Sequence, residues 1–148
     1  LTGIAAPDFE LANQFGQRIR LSEFRGSKPV ALVFFPLAFS PTCTSELCEL
    51  RDNQSLFAAA DVELIGISVD SKATLRAWAE QEKFDFTLLA DFWPHGDVAR
   101  RYGVFMEEKG FANRATFLID REGVVRESWA RAPVPPDVLV QTIGELEP

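Results

Sequence analysis

Val30-Ala-Leu-Val-Phe-Phe35 and Val62-Glu-Leu-Ile-Gly-Ile-Ser-Val69 bracket the stretch that decides the fold. The first is a continuous apolar run stopped by Pro36, the pattern of a central strand covered on both faces; the second is a strand of the same kind. Between them, from Pro41 to about Ala60, the apolar positions Leu47, Leu50, Leu56 and Phe57 fall near helical spacing. Glu46 and Glu49 lie in the early turns, where the helix dipole favours anions. Strand, helix, strand is a βαβ alternation.

Working outward, residues 2–21 read as a hairpin, because Phe9, Leu11 and then Ile19, Leu21 alternate with polar residues across Asn13-Gln-Phe-Gly16. Ser22 is expected to cap a short turn ended by Gly26. Downstream, Asp70-Ser71 caps a helix carrying Leu75, Trp78 and Ala79, residues 87–90 form a short strand, and residues 97–102 a short helix ended by Gly103. Residues 115–119 and 124–129 flank the turn Asp120-Arg-Glu-Gly123 as an antiparallel pair, and Pro135-Pro136 opens a last helix to about Leu146. The order βββαβαβαββα describes an α/β architecture: a central mixed β-sheet flanked by helices on both faces, with an N-terminal β-hairpin.

The 148 residues suit one domain over 1–148, and 47% apolar with 25% charged residues is ordinary globular usage without repeat or linker. Fifteen Lys+Arg against 22 Asp+Glu leave −7, the wrong sign for a nucleic-acid or anionic-membrane binder. The longest nearly apolar run, 29–39, is eleven residues, too short to span a bilayer. The opening residues Leu1-Thr2-Gly3-Ile4-Ala5-Ala6-Pro7 carry no basic segment followed by a long apolar one, so no secretory signal is read and the cytoplasm is the expected location. One His and two Cys exclude zinc-finger frameworks, HExxH sites and multi-disulfide scaffolds.

Both cysteines lie within Ser40-Pro-Thr-Cys43-Thr-Ser-Glu-Leu-Cys48-Glu-Leu50. Cys43 falls where a strand has ended and a helix begins, so unpaired N–H groups and the positive end of the dipole would stabilise its thiolate, the form that attacks electrophiles. Cys48 follows by five positions, about 140° around an intact helix with a rise of about 7.5 Å. A disulfide needs Cα atoms within about 6.8 Å, so the two thiols cannot bond unless the first turns unwind. Pro41, Thr42, Thr44 and Ser45 are mediocre helix formers, which makes local opening easier than in an Ala/Leu-rich turn.

Pro36-Leu-Ala-Phe-Ser40-Pro-Thr-Cys43 fits the P-x-x-x-T/S-x-x-C signature and resembles the peroxiredoxins. Ala6-Pro7-Asp8-Phe9, Asp91-Phe-Trp-Pro-His-Gly96, Tyr102-Gly103-Val104 and Asn113-Arg-Ala-Thr-Phe-Leu-Ile-Asp120 extend the resemblance over roughly residues 4 to 130. Phe35-Pro-Leu-Ala-Phe39 and Phe92-Trp-Pro-His-Gly96 look like the AhpE-type subgroup, and Cys43-x4-Cys48 followed by Leu-Arg-Asp looks like the PrxQ or bacterioferritin-comigratory-protein subgroup. The resemblance implies a thioredoxin-like fold and a thiol-dependent peroxidase acting on hydrogen peroxide and organic hydroperoxides without metal, haem or flavin. It implies Cys43 as the peroxidatic thiol, Ser40 as the hydroxyl that hydrogen-bonds thiolate and peroxide, and Pro36 as the shield of the loop. Arg114 is implied as the guanidinium that holds the thiolate and polarises the O–O bond, and Glu46 as its buttress. Arg, always charged and with five donors in a plane, suits that task, and donors aimed at the leaving hydroxide would stabilise the transition state. Ser40 stands where Thr is commoner and loses the methyl that restricts the hydroxyl rotamer.

The resemblance further implies that Cys48 resolves the Cys43 sulfenic acid as an intramolecular disulfide, which a thioredoxin-like protein dithiol then reduces, and that a homodimer is the expected assembly. The alternative is a peroxide sensor or relay that passes oxidation to a partner protein. A thioredoxin-like disulfide reductase is disfavoured, since C-x-x-C spacing is absent. His95 is read as part of a packed loop rather than as a proton donor, and Trp78, Trp93, Phe34, Phe35 and Phe39 as core and pocket lining, with Trp93 or Phe39 as candidates to flank the thiol.

Overall fold

The computed structural model describes residues 1–146. Its strands are β1 (Glu10–Asn13), β2 (Arg18–Arg20), β3 (Val30–Phe34), β4 (Glu63–Ser68), β5 (Thr87–Ala90), β6 (Phe105–Met106), β7 (Phe111–Ala112), β8 (Ala115–Ile119) and β9 (Val125–Ala130). The helices are α1 (Pro41–Asp52), α2 (Gln54–Ala59), α3 (Lys72–Glu82), α4 (Asp97–Arg101) and α5 (Pro136–Leu146). Seven strands form one sheet in the order β2-β1-β5-β4-β3-β8-β9.

β3 lies inside this sheet, parallel to β4 and antiparallel to β8, with Phe34 opposite Ala115. All five of its residues are buried, as the unbroken apolar run requires of a strand covered on both sides. Side chains alternate between two cores. Ala31, Val33 and Phe35 pack with Leu47 and Leu50 of α1, Phe57 of α2, Leu75 and Trp78 of α3, and Leu139 and Ile143 of α5. Val30, Leu32 and Phe34 share the opposite cluster with Phe9, Leu11, Val98, Ala99 and Tyr102. Helices therefore cover both faces, but unevenly: α4 alone joins the N-terminal segment on the second face. Gly66 of β4 leaves no room for a side chain, since a Cβ there would lie 2.9 Å from Leu88 Cδ2 and 3.3 Å from Phe35 Cε1 on the flanking strand segments.

The expected N-terminal hairpin is β1–β2, with Leu11 opposite Ile19, and it joins the sheet antiparallel to β5. Ser71 caps α3, accepting a hydrogen bond from Thr74 N at 3.1 Å. Three expectations are corrected. Ser22 caps nothing: it lies inside a 3-10 turn, Leu21–Phe24, and its amide donates to Asp8 Oδ1 at 2.9 Å. The helix expected through about Ala60 breaks at Asn53, whose backbone leaves the helical region while its side-chain amide donates to the Glu49 carbonyl at 2.9 Å. A two-stranded hairpin, β6–β7, occupies the stretch after Val104 where no strand was read.

Candidate active site

The chain leaves β3 at Phe35, and half-buried Pro36 ends the strand. The loop that follows is pinned from outside: Ala38 N donates to Asp70 Oδ2 at 2.7 Å, and the same oxygen accepts from Ser68 Oγ at 2.7 Å. Phe39 adopts φ +68°, a left-handed conformation that a bulky side chain reaches only when its surroundings hold it there. Its ring lies 6.2 Å from that of Trp78. Ser40 then takes the extended N-cap conformation and Pro41 the first helical position, where its missing N–H removes nothing.

Cys43 is consequently the third residue of α1, its side chain in the apolar cluster with Ala38, Leu47 and Trp78 and only 1% exposed. Arg114, one residue before β8, donates from Nη2 to Cys43 Sγ at 3.2 Å. Its Nη1 donates to Oε1 of Glu46, which sits three residues, just under a full turn, beyond Cys43 on the same side of α1. Arg114 is 8% and Glu46 5% exposed, so cation, carboxylate and thiol meet away from bulk water. Burial pushes the Glu46 carboxyl up from the usual carboxylate range, with the Arg114 charge only partly offsetting it. Burial also opposes the Arg114 charge, but Glu46 and Cys43 together outweigh it and hold the guanidinium firmly protonated. A thiol faced by a fixed, carboxylate-anchored guanidinium is a site at which negative charge on sulfur, or on an atom bonded to it, is stabilised.

Cys48 lies on the same helix, half-buried, and both cysteines are free thiols. Its Sγ contacts Glu82 Oε1 at 3.4 Å, and burial followed by that hydrogen bond raises its pKa. Ser40 is the N-cap residue of α1, and its hydroxyl donates to the Leu37 carbonyl at 3.0 Å; serine, without the threonine methyl, leaves that hydroxyl free to rotate. Phe39 adjoins the site but is 46% exposed, and Trp93, read as core or pocket lining, is 80% exposed. His95 Nε2 meets the Gly110 carbonyl at 2.7 Å and thereby ties its loop to the β6–β7 turn. Sequence reasoning missed Asp70 as the anchor of the Cys43 loop, having treated it only as a helix cap. Its position directly after an apolar strand was the one available signal.

Residues 2–128 match the AhpC/TSA family. The chain belongs to that family. Alkyl hydroperoxide reductase E of Mycobacterium tuberculosis (strain ATCC 25618 / H37Rv) is 48% identical over 131 residues, covering 88% of this chain and 86% of the relative. Peroxiredoxin Bcp of Bacillus subtilis is 34% identical over 152 residues, with 97% and 95% covered. The crystal structure of peroxidoxin BcpB from Mycobacterium tuberculosis superposes with a TM-score of 0.89 at 33% identity, over 99% of this chain and 98% of that one. The AhpC/TSA protein is thus a peroxiredoxin with similarity to both subgroups named by its motifs, built on the thioredoxin-like fold, and its family activity is thiol-dependent peroxide reduction. Among its described residues no helix is long and apolar enough to cross a membrane.

Proposed function

We propose that this peroxiredoxin reduces hydrogen peroxide and organic hydroperoxides through Cys43, with Cys48 as the resolving cysteine. The Cys43 thiolate attacks one peroxide oxygen; an S–O bond forms, the O–O bond breaks, and the departing hydroxide or alkoxide takes a proton to leave as water or alcohol, so that sulfur is oxidised to sulfenic acid and peroxide reduced. The observation that carries this reading is the 3.2 Å contact of Arg114 Nη2 with Cys43 Sγ, backed by Glu46. That guanidinium offers donors to the sulfur and to the oxygen on which charge develops, and the carboxylate prevents it from swinging away. Pro36 shields the loop, and the rotated Ser40 hydroxyl hydrogen-bonds the bound peroxide.

Cys48 then captures the sulfenic acid as a Cys43–Cys48 disulfide, and a thioredoxin-like dithiol reduces it by exchange. Five helical positions separate the thiols by about 140° and about 7.5 Å of rise, so capture demands that the first turns of α1 unwind. The protein works as a homodimer; the exposed Phe92 and Trp93 supply apolar surface for a second copy to cover.

Intact mass before and after one equivalent of H₂O₂ tests the scheme. Wild type is expected to lose two hydrogens, with faster amide exchange over residues 41–50, whereas Cys48→Ser gains one oxygen and turns over poorly with thioredoxin. Wild type that gains one oxygen and keeps Cys48 free would establish a one-cysteine cycle.

A further inference from the structure

Cys48 is one arm of a clasp between the middle of α1 and the end of α3. Glu82, the last residue of α3, uses all three of its acceptor oxygens. Oε1 meets Cys48 Sγ at 3.4 Å, Oε2 accepts from Gln81 Nε2 at 3.1 Å, and the backbone carbonyl accepts from Arg51 Nη1 at 2.5 Å. Arg51 stands three residues after Cys48, on the same side of α1, so the two contacts grip one turn. Its charge also meets the negative end of the α3 dipole, and its guanidinium carbon lies 6.0 Å from the centre of the Phe84 ring. The clasp therefore acts on the very helix whose opening the disulfide needs, and it does so on the side away from Arg114.

We propose that Glu82 is a positioning residue that holds Cys48 folded and protonated and so delays capture of the Cys43 sulfenic acid. The inference rests on the resolving role of Cys48 proposed above and adds what sets its rate. The step it governs is attack by the Cys48 thiolate on Cys43 sulfur: the S–S bond forms, the S–O bond breaks, and hydroxide leaves as water with the proton that Cys48 gave up. Two physical effects make Glu82 a brake. Cys48 Sγ cannot reach Cys43 while it remains against α3, because the two side chains leave α1 about 140° apart, so the Glu82 contact must break first. A carboxylate that accepts a hydrogen bond from a thiol also favours the thiol over the thiolate, since ionisation would set two negative charges side by side. Asp52 acts in the same direction, whereas Arg51 opposes it. Delay lengthens the life of the sulfenic acid, during which a second peroxide can oxidise it to sulfinic acid.

Glu82→Ala removes the carboxylate and leaves the backbone anchor of Arg51. Reduced protein is mixed with one equivalent of H₂O₂, quenched with a thiol-alkylating reagent at increasing times, and read by intact mass, which separates sulfenic acid formation from disulfide formation. In Glu82→Ala the second phase is expected to run about three- to tenfold faster near pH 7, the worth of one net hydrogen bond. Its pH profile, rising with the Cys48 thiolate in both proteins, should shift to lower pH, which a packing defect alone would not produce. Less sulfinic acid should accumulate under excess peroxide. A folded Glu82→Ala protein whose second phase is no faster than wild type between about pH 6 and 9, while wild type does form the disulfide, overturns the role of Glu82 alone. Wild type that forms no disulfide overturns the resolving role itself, and the clasp falls with it.

Discussion

Replacing Arg114 by Met separates chemistry from stability, because the guanidinium serves a thiol on one side and a buried carboxylate on the other. Methionine keeps an unbranched chain in the gap but donates nothing. Loss of one preorganised donor to developing charge costs about 2.7–4 kcal/mol of transition-state stabilisation, hence a hundred- to thousandfold slower reaction of Cys43 with H₂O₂. Independently, Glu46, 5% exposed, loses its ion-pair partner, and breaking a buried pair from one side costs about 3–5 kcal/mol of folding stability. The stability loss carries a pH signature. Burial already raises the Glu46 carboxyl, and without Arg114 it rises further, so the folded state of the variant takes up a proton that the unfolded chain binds only near the ordinary Glu value of about 4.3. The stabilisation from that bound proton is complete below the unfolded value and is lost as pH climbs through the raised folded one. Arg114→Met should therefore approach wild-type stability near pH 5 and fall furthest behind it near pH 8. Adding Glu46→Gln to Arg114→Met should recover most of the stability and none of the rate. Stopped-flow peroxide kinetics and urea unfolding at several pH values measure both. A single variant within threefold of the wild-type rate, or a double variant that regains speed along with stability, refutes the assignment of Arg114 to the reaction.

Other perturbations follow from the same structure. Cys43→Ser should consume no peroxide while keeping its circular dichroism spectrum, since an alcohol supplies no thiolate at neutral pH. Gly66→Ala forces a Cβ to 2.9 Å from Leu88 Cδ2 and 3.3 Å from Phe35 Cε1, so thermal unfolding should show a loss of about 1–3 kcal/mol. Ser71→Ala removes the acceptor for Thr74 N and should lower the urea midpoint by the equivalent of about 1 kcal/mol, with peroxide kinetics unaltered.

The strands that carry the site were legible because β3, β4 and β8 are buried on both faces, which leaves apolar runs no solvated loop would tolerate. The break at Asn53 was not. Leu56 and Phe57 keep near-helical spacing across it, and the interruption is a local hydrogen bond from Asn53 to the Glu49 carbonyl that periodicity does not record. β6 and β7 have two residues each, too few for alternation to register. Trp93 misled because aromatic character argues for burial only on average, and this one is 80% exposed. In the site, spacing marked Cys43 and Glu46 as neighbours, whereas the meeting of Glu46 with Arg114, 68 positions away, was legible only through the family resemblance, because it depends on strand pairing that no local pattern encodes. The anchoring part of Asp70 and the contact of Glu82 went unread because each acts on a segment far away in sequence, and Glu82 by itself is an ordinary helix-end carboxylate.

The pairing of Phe34 with Ala115 has a consequence beyond holding two strands together. Because β8 runs against β3, its first residues arrive at the end of the sheet where β3 releases the chain toward Cys43, and alternation then assigns Arg114 to the face covered by α1. A slip of one residue along β8 would carry the guanidinium to the Phe34 face, with the whole sheet between it and the sulfur. Fold and chemistry thus share one alignment, proofread by the same buried side chains. An insertion or deletion within β8, none of whose residues is assigned a part in the reaction, would act as an active-site mutation in which every catalytic residue is still present in the sequence.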